Sequence, residues 1–319
     1  MTYKELYSFI NESLRDAGIP ETDSESGIIL REIAGIDKTA LMAHPDDVVS
    51  EDIIGHVKDV IDRRLLREPL QYILGKWNFM GLDFIVEPST LIPRPDTETL
   101  VECAMQHLHD GMRILDLCTG TGCVLISLLH YSNECTGVGS DISPEAVDLA
   151  ARNARHILEN KIISSGYGVS DTGKIISSGY GVSDPGSMIS GDNSPECFSF
   201  VCGDLYTPID GVFDIIVSNP PYIPSEVIGG LEPEVRDFEP VDALDGGTDG
   251  LYLIRQIAKG VNDHLIKGGW LLCEIGYDQG ASAAKIFEEA GLREVEVIRD
   301  LAGNDRVVCG MRPIMDAKE

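Results

Sequence analysis

From Met112 onward, the chain alternates short apolar runs with longer stretches of helical periodicity. Seven of the runs have the length and pattern typical of strands: MRILDL, TGVGSD, FSFVCGD, FDIIVSNP, GGWLLCEIG, REVEVIRD and RVVCGMR. This alternation predicts an α/β domain with a mostly parallel, seven-stranded sheet and helices on both of its faces. In such a sheet, functional residues lie at the carboxyl ends of the strands.

The first 70 residues follow a different pattern. Apolar side chains recur at helical spacing over residues 3–67, and segments typical of turns interrupt them at 18–20 and 44–47. This predicts a small helical bundle over residues 1–70. Aromatic and β-branched residues around two glycines predict a β-hairpin linker over residues 71–88, which leaves residues 89–319 for the α/β domain.

One segment departs from the alternation of strands and helices. The sequence KIISSGYGVSD occurs at 161–171 and again, unchanged, at 174–184. Two copies are too few for a solenoid, and Gly, Ser and Asp dominate the rest of the segment. We interpret residues 161–195 as a surface insertion without a catalytic role, with a partner-binding loop as the alternative.

Composition and charge exclude several classes of protein. A hydrophobic fraction of 43% with 24% charged residues excludes disorder throughout the chain. A net charge of −28 opposes the binding of duplex DNA, because Lys and Arg supply most non-specific affinity for phosphates. With no run of 18 apolar residues and no signal peptide, we expect a cytoplasmic protein without a membrane partner. The eight cysteines contain no Cys-x-x-Cys pair, so we expect reduced thiols and no metal site.

The first three predicted strands end in residues suited to a nucleoside ligand. After the first comes a glycine-rich turn whose backbone N–H groups can approach a ligand closely, made of Cys118, Thr119, Gly120, Thr121 and Gly122. A tight turn that only needs glycine is the alternative. At the end of the second, Asp141 can accept hydrogen bonds from both ribose hydroxyls or, alternatively, cap the next helix. After the third, Asp204 can accept from an adenine amino group or, alternatively, serve only as a turn residue, and Leu205 can pack on the ring.

The fourth predicted strand ends in Asn219, Pro220, Pro221 and Tyr222. The two prolines remove backbone donors and fix φ, so the Pro220 carbonyl and the Asn219 side-chain oxygen become rigid acceptors. Together they can hold a planar –NH₂ group, on which the ring of Tyr222 can stack. A proline-rich turn that merely ends the strand is the structural alternative. We interpret the segment as catalytic, because it lies where this architecture binds ligands.

These motifs resemble those of class I S-adenosyl-L-methionine-dependent methyltransferases, and within them the HemK/PrmC family of release factor glutamine N5-methyltransferases. More specific stretches carry the likeness over nearly the whole chain: REPLQYILG (67–75), TLIPRPDTETLVE (90–102), PEVRDFEP (233–240) and GNDRVV (303–308). The resemblance implies a Rossmann-like methyltransferase sheet preceded by a helical substrate-recognition domain. It also implies a peptide chain release factor as the substrate, methylated on the glutamine of its Gly-Gly-Gln motif.

The resemblance also implies roles for individual residues. The cofactor S-adenosyl-L-methionine would be bound by the turn that starts at Cys118, by Asp141, Asp204 and Leu205, and by Asn219. The substrate glutamine would be bound by Asn219, Pro220, Pro221, Tyr222 and Arg94. Asp96 and Glu98 would flank the site, with a solvated ion pair as the alternative role for this segment. Cys118 stands where the family usually has glycine, which would narrow the turn or weaken cofactor affinity.

Two other functions compete with this interpretation. An adenine-N6 methyltransferase of nucleic acid must also hold a planar –NH₂ group, but it has to extrude its base and grip the strand. The net charge and the absence of a basic stretch oppose it. The third candidate is a non-catalytic module that only binds the cofactor, and the intact segment from Asn219 to Tyr222 argues against it.

Overall fold

The structure is a computed structural model that describes residues 1–164 and 197–314. The segment interpreted as an insertion, 161–195, lies outside the described residues from 165 onward. The chain forms two compact units: one consists of Met1–Lys76 and Leu231–Phe238, and the other of Trp77–Gly230 and Glu239–Glu319. No helix among the described residues is long and apolar enough to span a membrane.

The first unit is the predicted helical bundle. Its helices are α1 (Tyr3–Asp16), α2 (Thr22–Ala34), α3 (Lys38–Ala43), α4 (Glu51–Leu65) and α5 (Leu70–Leu74). Side-chain caps begin three of them, since Thr2, Asp37 and Ser50 each accept from a backbone N–H of the first turn. The helices bury one apolar cluster that includes Leu6, Ile10, Leu14, Ile29, Val57 and Ile61. The bundle is confirmed.

Residues Leu231–Phe238 belong to this helical unit although they come much later in the chain. The guanidinium of Arg64, which is buried, donates to Glu25 at 2.9 and 3.0 Å and to Glu234 at 2.9 Å. Arg67 donates to the same Glu234 at 2.8 Å. Ion pairs between residues so far apart in the chain leave no local sequence pattern. Our prediction therefore placed this segment in the α/β domain.

The hairpin after the bundle is shorter than predicted. Its strands are β1 (Lys76–Phe79) and β2 (Leu82–Ile85), joined through Met80 and Gly81 with φ of 50° and 73°. The prediction was wrong for the first residues, because Leu70–Leu74 forms α5. Leu70, Ile73 and Leu74 follow helical spacing and join the apolar cluster of the bundle, so tertiary packing overrides the strand propensity.

The second unit contains the predicted seven-stranded sheet. Its strands are β3 (Arg113–Leu117), β4 (Thr136–Asp141), β5 (Phe198–Cys202), β6 (Phe213–Ser218), β7 (Leu265–Glu274), β8 (Arg293–Arg299) and β9 (Asp305–Met311). The strand order is β5-β4-β3-β6-β7-β9-β8. The first five strands in this order pair in parallel, and β9 pairs antiparallel with β7 and β8. The prediction of a mostly parallel sheet is confirmed.

Helices cover both faces of this sheet. They are α6 (Glu98–His107), α7 (Cys123–Tyr131), α8 (Pro144–Ser164), α10 (Tyr252–His264) and α11 (Gly280–Glu289), while α9 (Pro233–Arg236) belongs to the helical unit. One core cluster contains Leu100, Leu128 and Ala150 from α6, α7 and α8. The other contains Ile257 and Phe287 from α10 and α11. The eight cysteines all lie among the described residues, and none of them is in a disulfide.

Candidate active site

A cavity of about 770 Å³ lies at the carboxyl ends of the parallel strands. Its walls come from the segments that follow β3, β4, β5 and β6, together with residues between 89 and 97 and between 240 and 253. It brings together most of the residues predicted from the sequence: Arg94, Cys118, Thr119, Gly120, Thr121, Asp141, Asp204, Leu205, Asn219 and Pro221. Gly122, Pro220 and Tyr222 are not part of its lining.

The glycine-rich turn after β3 is held in a left-handed backbone conformation. Cys118, Gly120 and Gly122 have φ of 59°, 54° and 80°. L-residues adopt this conformation at a cost of about 1–2 kcal/mol, so Cys118 strains the turn at a position where glycine would not. The turn is anchored to the neighbouring strand, since the N–H of Thr119 donates to the Ser140 carbonyl at 3.0 Å.

Gly122 has a packing role instead of a place in the cavity wall. A Cβ atom there would lie 2.8 Å from Cδ1 of Ile126 and 3.1 Å from Cβ of Ala150. The missing side chain therefore lets the start of α7 approach α8. This packing aims the amino end of α7 at the edge of the sheet where the cavity lies.

Asp141 holds the turn from the neighbouring strand. One carboxylate oxygen accepts from the N–H of Gly120 at 2.9 Å, and the other accepts from the N–H of Ser143 at 3.0 Å. The cap of α8 is Ser143, whose Oγ accepts from the N–H of Ala146 at 3.1 Å, so the alternative role of Asp141 as the helix cap is wrong. Burial raises the pKa of Asp141, while its backbone hydrogen bonds lower it.

Asp116 is a second buried carboxylate at the cavity, which the sequence did not single out. It is 1% exposed and accepts from the hydroxyl of Thr119 at 2.7 Å. Burial raises its pKa to about 7, partly offset by that hydrogen bond. Its position at the end of β3, just before the glycine-rich turn, was the available signal.

Asp204 and Leu205 follow β5 and both line the cavity. Leu205 has a left-handed backbone with φ of 44°, and its carbonyl accepts from the Ser140 hydroxyl at 3.3 Å. This bond fixes the turn after β5 to the end of β4. The structure therefore gathers the three predicted strand ends around one space.

The segment from Asn219 to Tyr222 is fixed at both ends. Nδ2 of Asn219 donates to the Thr97 hydroxyl at 3.1 Å, so Oδ1 remains available as an acceptor. The Tyr222 hydroxyl donates to Oε1 of Glu274 at 3.1 Å, and its carbonyl accepts from Nε2 of Gln279 at 2.9 Å. These bonds make Tyr222 an anchor for the segment, and the stacking of a substrate amide on its ring stays a prediction.

The residues predicted around position 96 separate into different environments. Arg94 lines the cavity and donates to Glu239, which is 4% exposed, so the interpretation as a solvated ion pair is wrong. Asp96 and Glu98 do not line the cavity. Asp96 pairs with Arg306 at 3.1 Å, and Glu98 accepts from the N–H of Met80 at 2.7 Å.

Comparison with known proteins identifies the family. The PrmC N-terminal domain model matches residues 5–75. The release factor glutamine methyltransferase of Geobacter sulfurreducens is 34% identical over 311 residues, covering 97% of this chain and 96% of that protein. The chain belongs to the release factor glutamine methyltransferase family. The family member from Agrobacterium fabrum is also 34% identical, over 302 residues that make up 92% of each chain.

A solved structure shares the fold of this family member. The catalytic domain of hMettl16 in complex with MAT2A 3'UTR hairpin 6 has a TM-score of 0.51, with 15% sequence identity. The likeness covers 81% of this chain and 83% of that chain. At this identity it concerns the methyltransferase fold alone.

Residues from three of the four stretches that carried the family resemblance contact one another in the second unit. Arg94 in 90–102 binds Glu239 in 233–240, and Arg306 in 303–308 binds Asp96 in 90–102. Arg306 also pairs with Asp300 at 3.1 Å. In this release factor glutamine methyltransferase family member, the stretch 90–102 also contacts Asn219, through the hydroxyl of Thr97.

Proposed function

We propose that the protein transfers a methyl group from S-adenosyl-L-methionine to the side-chain amide nitrogen, N5, of the glutamine in the Gly-Gly-Gln motif of a peptide chain release factor. The observation that carries the proposal is the orientation of Asn219. Its Nδ2 is occupied by Thr97, so its Oδ1 is the group left to accept from a substrate. A carboxamide –NH₂ is a donor that matches it.

The residues at the cavity fit this cofactor. The volume of about 770 Å³ lies within the usual range for small-molecule sites. Asp141 and Asp204 line it and would accept from the ribose and the adenine, and Asp116, which also lines it, would add negative charge for a cationic ligand. When bound, S-adenosyl-L-methionine supplies a methyl group activated by its sulfonium.

The chain's own residues would position the methyl acceptor, which is the amide nitrogen of the substrate glutamine. An amide nitrogen is a poor nucleophile, because its lone pair is delocalised into the carbonyl. Hydrogen bonds from its N–H groups to Asn219 Oδ1 and to the Pro220 carbonyl increase the electron density on nitrogen and set its direction of attack. Positioning of this kind replaces a bimolecular encounter, and well-oriented systems reach effective molarities of about 10⁵ M or more. The proton can leave after transfer, so no strong general base is assigned.

Charge supports a basic protein partner. The net charge of −28 repels a phosphate backbone, but it attracts a protein with a basic surface. A release factor that binds ribosomal RNA has reason to present such a surface. We therefore expect the rate of substrate binding to fall as the salt concentration rises.

The test uses labelled S-adenosyl-L-methionine with three acceptors: a release factor, the same factor with Gln→Ala in its Gly-Gly-Gln motif, and duplex DNA. Label should enter only the first, and mass spectrometry should locate one added methyl group on that glutamine. Asn219→Ala serves as the inactive control. Label on adenine with an unmodified release factor would overturn the proposal in favour of an adenine-N6 methyltransferase.

A further inference from the structure

Two buried side chains lie beside Asn219: Thr97, which is part of the cavity lining, and Glu274, which is not. Thr97 and Glu274 are each 1% exposed. The Thr97 hydroxyl accepts from Nδ2 of Asn219 at 3.1 Å, and it lies near enough to the Glu274 carboxylate to lower the pKa of Glu274. Oε2 of Glu274 is buried without another hydrogen-bond partner among the described residues, so it is the oxygen that can accept from this hydroxyl. The sequence singled out neither residue for a role at the site.

The sheet places Glu274 beside Asn219. Cys273 of β7 pairs with Ser218 of β6 in parallel register. The next residues of the two segments, Glu274 and Asn219, therefore lie side by side at the carboxyl edge of the sheet. Glu274 also accepts from the hydroxyl of Tyr222 at 3.1 Å. One carboxylate therefore contacts both ends of the segment from Asn219 to Tyr222, directly at one end and through Thr97 at the other.

The direction of donation along this chain of hydrogen bonds determines which atom of the Asn219 amide, Nδ2 or Oδ1, faces Thr97. An ionised carboxylate only accepts hydrogen bonds, and a hydroxyl has a single proton. If Thr97 donates that proton to Glu274, its lone pairs face Asn219. Asn219 must then present Nδ2 to Thr97, which directs Oδ1 towards the substrate amide.

We propose that Glu274 is a positioning residue that acts through Thr97 to keep Oδ1 of Asn219, rather than Nδ2, facing the substrate amide. This inference rests on the proposed function, because only a donor substrate needs an acceptor at that point. Without Glu274, the Thr97 hydroxyl is free to donate to Oδ1. The Asn219 amide can then turn over and place its –NH₂ group against the –NH₂ group of the substrate.

The chemistry around Glu274 suits such a role better than a purely structural one. Burying a carboxylate is unfavourable, and an apolar side chain of similar size would usually pack as well or better. Burial raises the pKa of Glu274 to about 7, while Thr97, Arg306 and Tyr222 lower it. The carboxylate is thus kept at a cost in stability, beside three groups that favour its ionised form.

The test compares two substitutions of Thr97. Thr97→Val removes the hydroxyl at nearly constant shape, and Thr97→Ser keeps it. We expect kcat for glutamine methylation to fall about 10- to 100-fold in Thr97→Val, as for loss of a hydrogen bond in a charged network. Thr97→Ser should stay near wild type. Because Thr97 also lines the cavity, kcat is compared with S-adenosyl-L-methionine at saturation for every variant. Thr136→Val is the matched control, because Thr136 starts β4 at the opposite edge of the sheet.

Repeating the Thr97→Val substitution in the Asn219→Ala variant shows whether Thr97 acts through Asn219. In Asn219→Ala, Thr97→Val should produce no further loss of kcat, because the group that it orients is gone. An additive loss of kcat, or an equal loss of kcat in Thr97→Ser, would overturn the inference.

Glu274→Gln tests the carboxylate itself. It should also lower kcat without changing cofactor affinity, because its –NH₂ replaces one acceptor oxygen with a donor. Glu274→Gln with wild-type kcat would overturn the role of Glu274. If wild-type protein fails to methylate the release factor in the same assay, the proposed function fails instead, so the two failures are distinct.

Discussion

The carboxylate of Asp141 accepts a hydrogen bond from the backbone N–H of Gly120 at 2.9 Å, which ties the end of β4 to the glycine-rich turn after β3. A second bond to the N–H of Ser143 fixes the same carboxylate from the other side. Asp141 therefore shapes the turn at the cavity in addition to offering oxygens to a ligand.

Asp141→Ala should weaken S-adenosyl-L-methionine binding about 10- to 100-fold, because charge-assisted hydrogen bonds contribute about 1.5–3 kcal/mol. Calorimetry measures the affinity directly. Asp148→Ala makes the same change at an exposed position of α8, where Asp148 pairs with Arg152, and should leave affinity unchanged. Equal affinities in the two variants would remove Asp141 from the cofactor site.

Asn219→Ala should lower the rate of methyl transfer about 10²- to 10³-fold, as for loss of one preorganised hydrogen bond. The fold should remain intact, since Asn219 lies at a strand end and lines the cavity. Initial rates under saturating cofactor measure the effect. Asn133→Ala, which removes an exposed amide paired with Asp110, is the control. Near-normal turnover in Asn219→Ala would exclude Asn219 from the mechanism.

Gly122→Ala should destabilise the protein more than Gly111→Ala does. Both glycines have φ of 80°, so both substitutions strain the backbone. Only at position 122 does the new Cβ meet neighbours, at 2.8 Å from Ile126 and 3.1 Å from Ala150. We expect an additional loss of about 1–3 kcal/mol in the free energy of unfolding, as for overpacked cores. Denaturant titration measures the difference, and equal losses would contradict the packing role.

The pH dependence of kcat should include a step from Glu274, whose pKa is raised to about 7 mainly by burial. Arg306, Asp96, Tyr222 and Cys123 are the titratable groups that interact with it. Below that pH, the carboxyl gains a proton and becomes a donor, so kcat at saturating substrates should fall as the pH decreases.

Glu274→Gln imitates the protonated acid and supplies the control for this step. Its kcat should equal the low-pH level of the wild type and should not change between pH 6 and pH 8, about one unit on either side of the wild-type pKa. The measurement is a rate profile with both substrates saturating, so that it follows kcat and not the binding of either substrate. A step of the same size in Glu274→Gln would assign it to another group.

The sequence by itself determined the elements whose signals are local. The seven strands, the helical bundle, the glycine-rich turn and the segment from Asn219 to Tyr222 each follow from residue types within a few positions of one another. Parallel strands place their carboxyl ends at one edge, so the gathering of Asp141, Asp204 and Asn219 around one cavity could also be predicted.

Only the tertiary structure decided which distant side chains meet. Arg64 binds Glu234 across 170 positions, and Asn219 binds Thr97 across 122, and no periodicity records either pairing. The helix Leu70–Leu74 replaced the start of the predicted hairpin, because the bundle offered its apolar residues a core. The orientation of the Asn219 amide likewise depends on a hydroxyl and a carboxylate brought together by strand register, because hydrogen-bond polarity is a property of the assembled network.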